Sequence, residues 1–152
     1  MDPQHLVQGL LSSQLFAVIS TDAETGPYAS LIAFWASDDL SQIVFATMRA
    51  TRKFNYLATR PQVALLFDNR SNHDVDVSQA MAVTATGTAQ ELTEQSARAA
   101  ASDAYLAKHP HLATFVASPG CAFVRVAVET YYVVTRFQNV VELHTPRIEH
   151  AR

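Results

Sequence analysis

Phe45-Ala-Thr-Met-Arg-Ala-Thr-Arg-Lys-Phe-Asn-Tyr-Leu-Ala-Thr-Arg-Pro-Gln-Val-Ala-Leu-Leu-Phe67 decides how the rest of the chain is read. It parses as the end of a strand, a turn, a short helix and a second strand. Phe54, Leu57 and Ala58 stand at i, i+3 and i+4, which gives the helix one apolar face. Thr51 is placed to cap it, its hydroxyl reaching the unpaired amides of the first turn. Pro61 stops the helix, and Gln62 to Phe67 then runs almost unbroken apolar, as a strand buried on both faces does.

Arg49, Arg52 and Lys53 crowd the N-terminal end of this helix. The macrodipole is already positive there and the amides lack partners, so cations are electrostatically misplaced unless an anion docks on the same spot. Phosphate is the common occupant of such a site. The other reading is three solvated basic side chains, paired with acids elsewhere.

Composition sets the bounds. A chain of 152 residues makes one domain, residues 1–152, with enough length for a real core. Apolar residues make up 49% and charged ones 16%, and this modest charge suggests buried surface beyond one subunit's core. A net charge of −3 with no basic run argues against nucleic acid or an anionic membrane as the main partner. Cys121 stands alone and forms no intrachain disulfide, and Met1-Asp-Pro-Gln-His carries no charged-then-apolar targeting pattern. The expected setting is cytoplasmic.

Before the opening stretch, Leu6, Val7, Leu10 and Leu11 predict a short helix over His5 to Gln14, within an N-terminal segment 1–14. Strands are expected over Leu15–Ser20, Tyr28–Ala36 and Gln42–Thr47, separated by Thr21–Pro27 and Ser37–Ser41 turn chemistry. Phe34 and Trp35 alternate, so one ring is expected in the core and the other under a helix or partner. After it, Asp68 to Asp76 reads as a polar loop, and Gln79–Leu92 as a long strand with a bulge or bend at Gly87. Thr93 is the expected N-cap of a helix to about Lys108, whose Ala-rich run suits propensity more than deep packing. Cys121 to Thr135 is the longest strand, with Cys121 as a small apolar residue in the sheet, and 137–152 is a tail with one apolar patch, Val140 to Leu143. Short turns between consecutive strands favour antiparallel pairing, and six of them favour closure into a small barrel with two or three helices. The fold class is mainly β.

The ordered set Gly26-Pro-Tyr-Ala-Ser-Leu-Ile-Ala-Phe34, Phe45-Ala-Thr47, Thr51-Arg-Lys53 and Pro61-Gln-Val-Ala-Leu-Leu66 resembles the FMN-binding split barrel of the pyridoxamine 5′-phosphate oxidase-like superfamily. The resemblance covers about Leu15 to Leu92. It implies a homodimer with flavin at the subunit interface and a small-molecule redox partner. It implies that the strand backbone of Ser30, Leu31, Ile32 and Ala33 lies along the isoalloxazine ring, with Ser30 offering a polar side chain. Ala46 and Thr47 would stand beside the ribityl chain, and Thr51, Arg52 and Lys53 would grip the phosphate, which agrees with the helix-end argument. The chain departs from the true oxidases at its tail, where Thr135 to His144 does not reproduce the arrangement of their substrate-binding Arg and His, and at Ala82, where they supply Gln. Oxidation of pyridoxamine phosphate is therefore not expected.

The Asp68–Asn72 loop either lines the flavin pocket or is solvated. His73-Asp-Val-Asp76 has metal-binding residue types but loop composition, and no metal is assigned. His144 and His150 are similar to the tail histidine of haem-degrading split barrels, or are plain exposed side chains. No Ser/His/Asp or Cys/His spacing points to covalent catalysis. Two readings remain: an FMN-dependent oxidoreductase of unassigned substrate, or a non-catalytic carrier of FMN, haem or the deazaflavin F420.

Overall fold

A computed structural model of the chain describes residues 2–136 and 139–145. Helix α1 (Pro3–Ser13) starts at Asp2, whose carboxylate accepts from the Gln4 amide, and buries Val7, Leu10 and Leu11. The strands β1 (Phe16–Asp22), β2 (Pro27–Ala36) and β3 (Gln42–Met48) follow. Then come α2 (Arg52–Thr59), β4 (Gln62–Asp68), the single turn α3 (Asp76–Gln79) and β5 (Ala82–Glu91). Helix α4 (Gln95–Lys108), a 3-10 turn (Pro110–Leu112), α5 (Ala113–Ala117), β6 (Cys121–Thr135) and β7 (Asn139–His144) complete the order.

The strands pair in the order β3-β2-β1-β4-β5-β6, and β3 also pairs with β6, so six antiparallel strands close a barrel and β7 is added on β6. Of the five α-helices among the described residues, α1, α2 and α4 run 11, 8 and 14 residues, and these are the ones whose periodicity shows in the sequence. Alternate side chains fill the barrel: Ile19, Phe34, Phe45, Leu65, Phe67 and Tyr131 are fully buried. On the outside of β2, β3 and β6, α4 and α5 cover a second cluster that includes Val44, Tyr105, Val116 and Phe123, with Trp35 against it. Phe34 thus faces the core and Trp35 a helix.

Several expectations need correction. β4 is buried on one face only: Val63, Leu65 and Phe67 point inward while Leu66 is 40% exposed, because a strand of a closed barrel has just one inside. The N-cap of α4 is Glu94 and not Thr93; its carboxylate accepts from the Ser96 and Ala97 amides. The Ala-rich run of α4 does pack, with Ala101 buried, since small side chains let the helix lie close to the sheet. Val140 to Leu143 belong to β7, paired with β6 from Thr135↔Asn139 to Thr130↔His144. The helical turns over 110–117 had no clear periodic signal. The charged end, with His150, lies outside the described residues. At Gly87 the expected irregularity is present: the register shifts between Thr86 and Gly87, and a Cβ there would stand 2.2 Å from the Ala127 carbonyl oxygen.

One ladder is short. β2 pairs with β3 only at Phe34↔Phe45, Trp35↔Val44 and Ala36↔Ile43, although both strands run on past that point. The barrel wall is therefore split from Ala33 and Ala46 onward. At that first open step the Tyr105 hydroxyl donates to the Ala33 carbonyl at 3.1 Å, and the Ala46 backbone bonds to the Tyr105 hydroxyl. Burial pushes the Tyr105 phenol up to about 12. One turn on, His109 Nε2 donates to the Phe34 carbonyl at 2.7 Å. Beside it Lys108 Nζ donates to the Leu11 carbonyl at 3.0 Å and lies 3.9 Å from the centre of the Phe34 ring.

Two predictions follow from these anchors. Tyr105→Phe leaves the Ala33 and Ala46 backbone groups without their shared partner, so stability should fall by about 1–3 kcal/mol. Amide exchange at Ala46 should quicken out of proportion to that global loss, and wild-type protection there would refute the bridge. Burial also lowers Lys108 from the ordinary 10.5 to about 8. The folded state then binds fewer protons than the unfolded one between those values, so the linkage adds stability as pH rises from about 8 to 10.5. Urea melts of wild type should show that rise, and Lys108→Met should flatten it.

Candidate functional site

The split carries most of the residues singled out from sequence. Continuing the β2–β3 register past Phe34↔Phe45 sets Ala33 opposite Ala46 and Ile32 opposite Thr47, with no ladder between them. Ser30, Leu31, Ile32 and Ala33 thus form one wall, and Ala46 and Thr47 the other. Ser30 and Ile32 face inward; Leu31 and Ala33 face outward, and Leu31 is 64% exposed. The Phe34 amide is bonded to the Leu15 carbonyl of the segment before β1, so even-numbered residues of β2 address β1 and odd-numbered ones address the split. The Ala33 carbonyl is taken by Tyr105. The Leu31 N–H and C=O point into the open part of the split, where β3 offers no pairing.

At the same end β3 runs into α2. Thr51 caps that helix as expected: its hydroxyl donates to the Met48 carbonyl at 2.9 Å and accepts from the Phe54 amide at 3.4 Å. With that proton committed, the Thr47 hydroxyl donates to Thr51 Oγ1 at 3.0 Å. Thr47 and Thr51 are therefore joined to each other, and the amides of Arg52 and Lys53 stand free in the first turn.

The three cations separate. Arg49 is paired: its Nε and Nη2 reach Glu91 Oε2 at 3.2 and 2.9 Å, and Nη1 donates to the Pro119 carbonyl at 3.1 Å. Arg52 and Lys53 form no ion pair among the described residues. Arg52 is exposed, while Lys53 is half-buried and its ammonium is pulled below the ordinary lysine range by that burial. An unpaired, partly desolvated ammonium at a helix N-terminus is stabilised by an anion and by little else. Ser30 adds a second orphan: its Oγ is buried and has no hydrogen-bond partner. Both observations fit a polar, anionic group held along the split.

Outside the wall, Phe16, Val18, Leu31 and Leu66 line a groove of about 370 Å³ with Asp68 and Arg70 at its edge. Phe16 and Leu31 are more than half exposed. The Asp68–Asn72 loop thus borders the outer face of β1, β2 and β4, and its Arg70–Asp68 pair is 3.0 Å long. This groove shares Leu31 with the split but none of its lining residues belongs to α2. Ala82 lies at the start of β5, paired with Asp68 and Val134.

Other candidates separate from the site. Asp76 is engaged with Ser71 and Asn72, and no cluster among the described residues is arranged to hold a metal. His144, on β7, bonds through Nδ1 to the Thr130 hydroxyl at 3.1 Å and through Nε2 to Glu142 at 3.3 Å. Among the described residues no helix is long and apolar enough to cross a membrane. Sequence reasoning missed Tyr105 and Glu91. The available signal for Tyr105 was a lone aromatic side chain in an alanine run; nothing local marks Glu91 as the partner of Arg49.

The chain's likenesses agree with this geometry. No curated protein matches it in sequence. A haem-binding protein from Mycobacterium smegmatis superposes with a TM-score of 0.84 at 15% identity, over 95% of this chain and 59% of that one. A putative pyridoxamine 5′-phosphate oxidase from Listeria innocua gives 0.70 at 11%, covering 88% and 98%. An FAD-binding protein from Mesorhizobium loti gives 0.68 at 14%, covering 86% and 92%. At such identities these share the fold. Residues 3–135 match the pyridoxamine 5′-phosphate oxidase family, and with the closed six-stranded barrel beneath that match, the chain belongs to this family of split barrels.

Proposed function

We propose that this protein binds FMN along the β2–β3 split and serves as a flavin-dependent oxidoreductase for a small-molecule redox partner. The observation that carries the reading is the pair of unpaired cations, Arg52 and Lys53, at the N-terminus of α2, where the split ends. Arg52, Lys53 and their two free amides hold the phosphate. The free Leu31 backbone and the Ser30 hydroxyl offer hydrogen bonds to the polar edge of the ring system. Bound flavin supplies the redox chemistry. The chain's own task is to position and enclose it, since the wall residues Ser30 to Ala33, Ala46 and Thr47 include no carboxylate or imidazole.

Similarity to both an FAD-binding and a haem-binding protein supports a cofactor-binding role without choosing the cofactor. The cationic helix end favours a phosphate-bearing ligand, so FMN ranks above haem. The second reading is a carrier of FMN, haem or F420 without turnover. The tail, which does not reproduce the oxidases' arrangement of Arg and His, and the Ala82 position argue against oxidation of pyridoxamine phosphate itself. The lone buried thiol of Cys121 fits a reducing, cytoplasmic setting. A visible spectrum of the purified protein separates flavin from haem, and reduction followed by reoxidation with candidate acceptors separates enzyme from carrier.

The reading includes a homodimer. Phe16, Val18, Leu31 and Leu66 form an exposed apolar face beside the split, and a second copy laid on it encloses the flavin. Such an obligate interface buries roughly 2,000 Å² or more in total. Sedimentation at micromolar concentration should give a dimer; a monomer that retains flavin would refute this. For the phosphate, Lys53→Ala removes a charge-assisted hydrogen bond of about 1.5–3 kcal/mol, so FMN affinity should drop about ten- to a hundred-fold. Riboflavin, which lacks the phosphate, should bind both proteins alike. Equal FMN affinity in wild type and variant removes the phosphate site.

A further inference from the structure

Between α4 and α5, over the outer face of β6, lies a groove of about 350 Å³ that takes no part in the site above. Leu106, Val116, Ala99 and Phe123 make it apolar, Ser102 adds one hydroxyl, and Arg98 lies in its wall. The surroundings of Arg98 are unusual for a guanidinium. Its Nη2 donates to the Cys121 carbonyl at 2.9 Å, and its central carbon stands 5.2 Å from the centre of the Phe123 ring. Nη1 is buried and meets no acceptor. Glu94, one helical turn earlier, is engaged by the Ser96 and Ala97 amides and the Ser96 hydroxyl. Among the described residues Arg98 forms no ion pair.

A guanidinium stays charged at any working pH, and a charge removed from water without a counter-ion is costly. A ring face and one carbonyl offset part of that cost and leave a donor nitrogen unused. The complement is a single carboxylate, which accepts from a guanidinium with charge-assisted strength. The apolar walls select the rest of the ligand, and a volume of about 350 Å³ lies within the usual range for small-molecule sites. One cation, with no second basic side chain lining the groove, favours a monoanion over a phosphate or a dicarboxylate. We propose that the α4–α5 groove is a binding site for a small monocarboxylate with an aryl or branched-alkyl body, its carboxylate on Arg98 and its body against Phe123, Leu106 and Val116. The half-buried Arg98 turns Nη1 toward the groove as the acceptor arrives. The site does not depend on flavin, although Phe123 is the register partner of Ala46, so an occupant would lean on a strand adjoining the split.

Benzoate and benzyl alcohol, which share a ring and differ in charge, test this by calorimetric titration of the purified protein. Benzoate should bind saturably at one site and benzyl alcohol at least about tenfold more weakly. Arg98→Gln should abolish that preference. Ala117→Leu, which fills the groove and keeps the arginine, should weaken both ligands. Absence of benzoate binding at concentrations on the order of 10 mM would overturn the proposal, as would equal binding of the two probes or a benzoate preference that survives Arg98→Gln. If Arg98→Gln fails to fold, the comparison of probes on wild type and on Ala117→Leu decides alone.

Discussion

The β3–β6 ladder is the constraint on which the rest depends. Its seven register pairs, from Gln42↔Ala127 to Met48↔Cys121, close the barrel even where β3, from Ala46 to Met48, has no partner in β2. β2 is then free to stand apart from β3 before Phe34, where β1 still holds it from Pro27 to Ala33. A sheet that parts in this way exposes backbone groups that need partners. Tyr105 satisfies them at the point of parting, and beyond it Leu31 leaves its groups for something other than a strand.

That arrangement makes α4 a structural part of the split and not a surface decoration. Its alanines bring the helix close to β2, β3 and β6, Glu94 fixes where it begins, and Tyr105, Lys108 and His109 tie its end to Ala33, Leu11 and Phe34. The tie runs through buried hydrogen bonds, which cost free energy if broken one at a time and so hold one geometry. α1 and α4 are thereby locked on either side of the Phe34 strand.

Charge is distributed with similar economy. The chain carries a net charge of −3, yet the cations that matter are local. Arg49 has an acid and serves to join β3 to the end of β5. Arg52, Lys53 and Arg98 have none among the described residues. The same side-chain type is thus ion-paired in one place and left without a counter-ion in another, and the presence of a carboxylate within reach separates them.

Much was legible in the sequence because it is local. Strand alternation, the Phe54–Leu57 side of α2 (Ala58, expected on it, is exposed), the Thr51 cap, the turn at Gly26-Pro27 and the irregularity at Gly87 each arise from residues within a few positions of one another. The charge conflict at the Thr51-Arg52-Lys53 helix end was legible as well, and Arg52 and Lys53 do lack ion pairs among the described residues. What only the tertiary structure decided arises from contacts far apart in the chain. Arg49 and Glu91 are 42 residues apart, and Tyr105 reaches Ala33 across 72. No local rule could tell Arg49 from Arg52, or show where β2 leaves β3. The exposed face of β4 and the pairing of β7 have the same cause: a strand's own pattern says which residues alternate, but only its neighbours decide which side is inside.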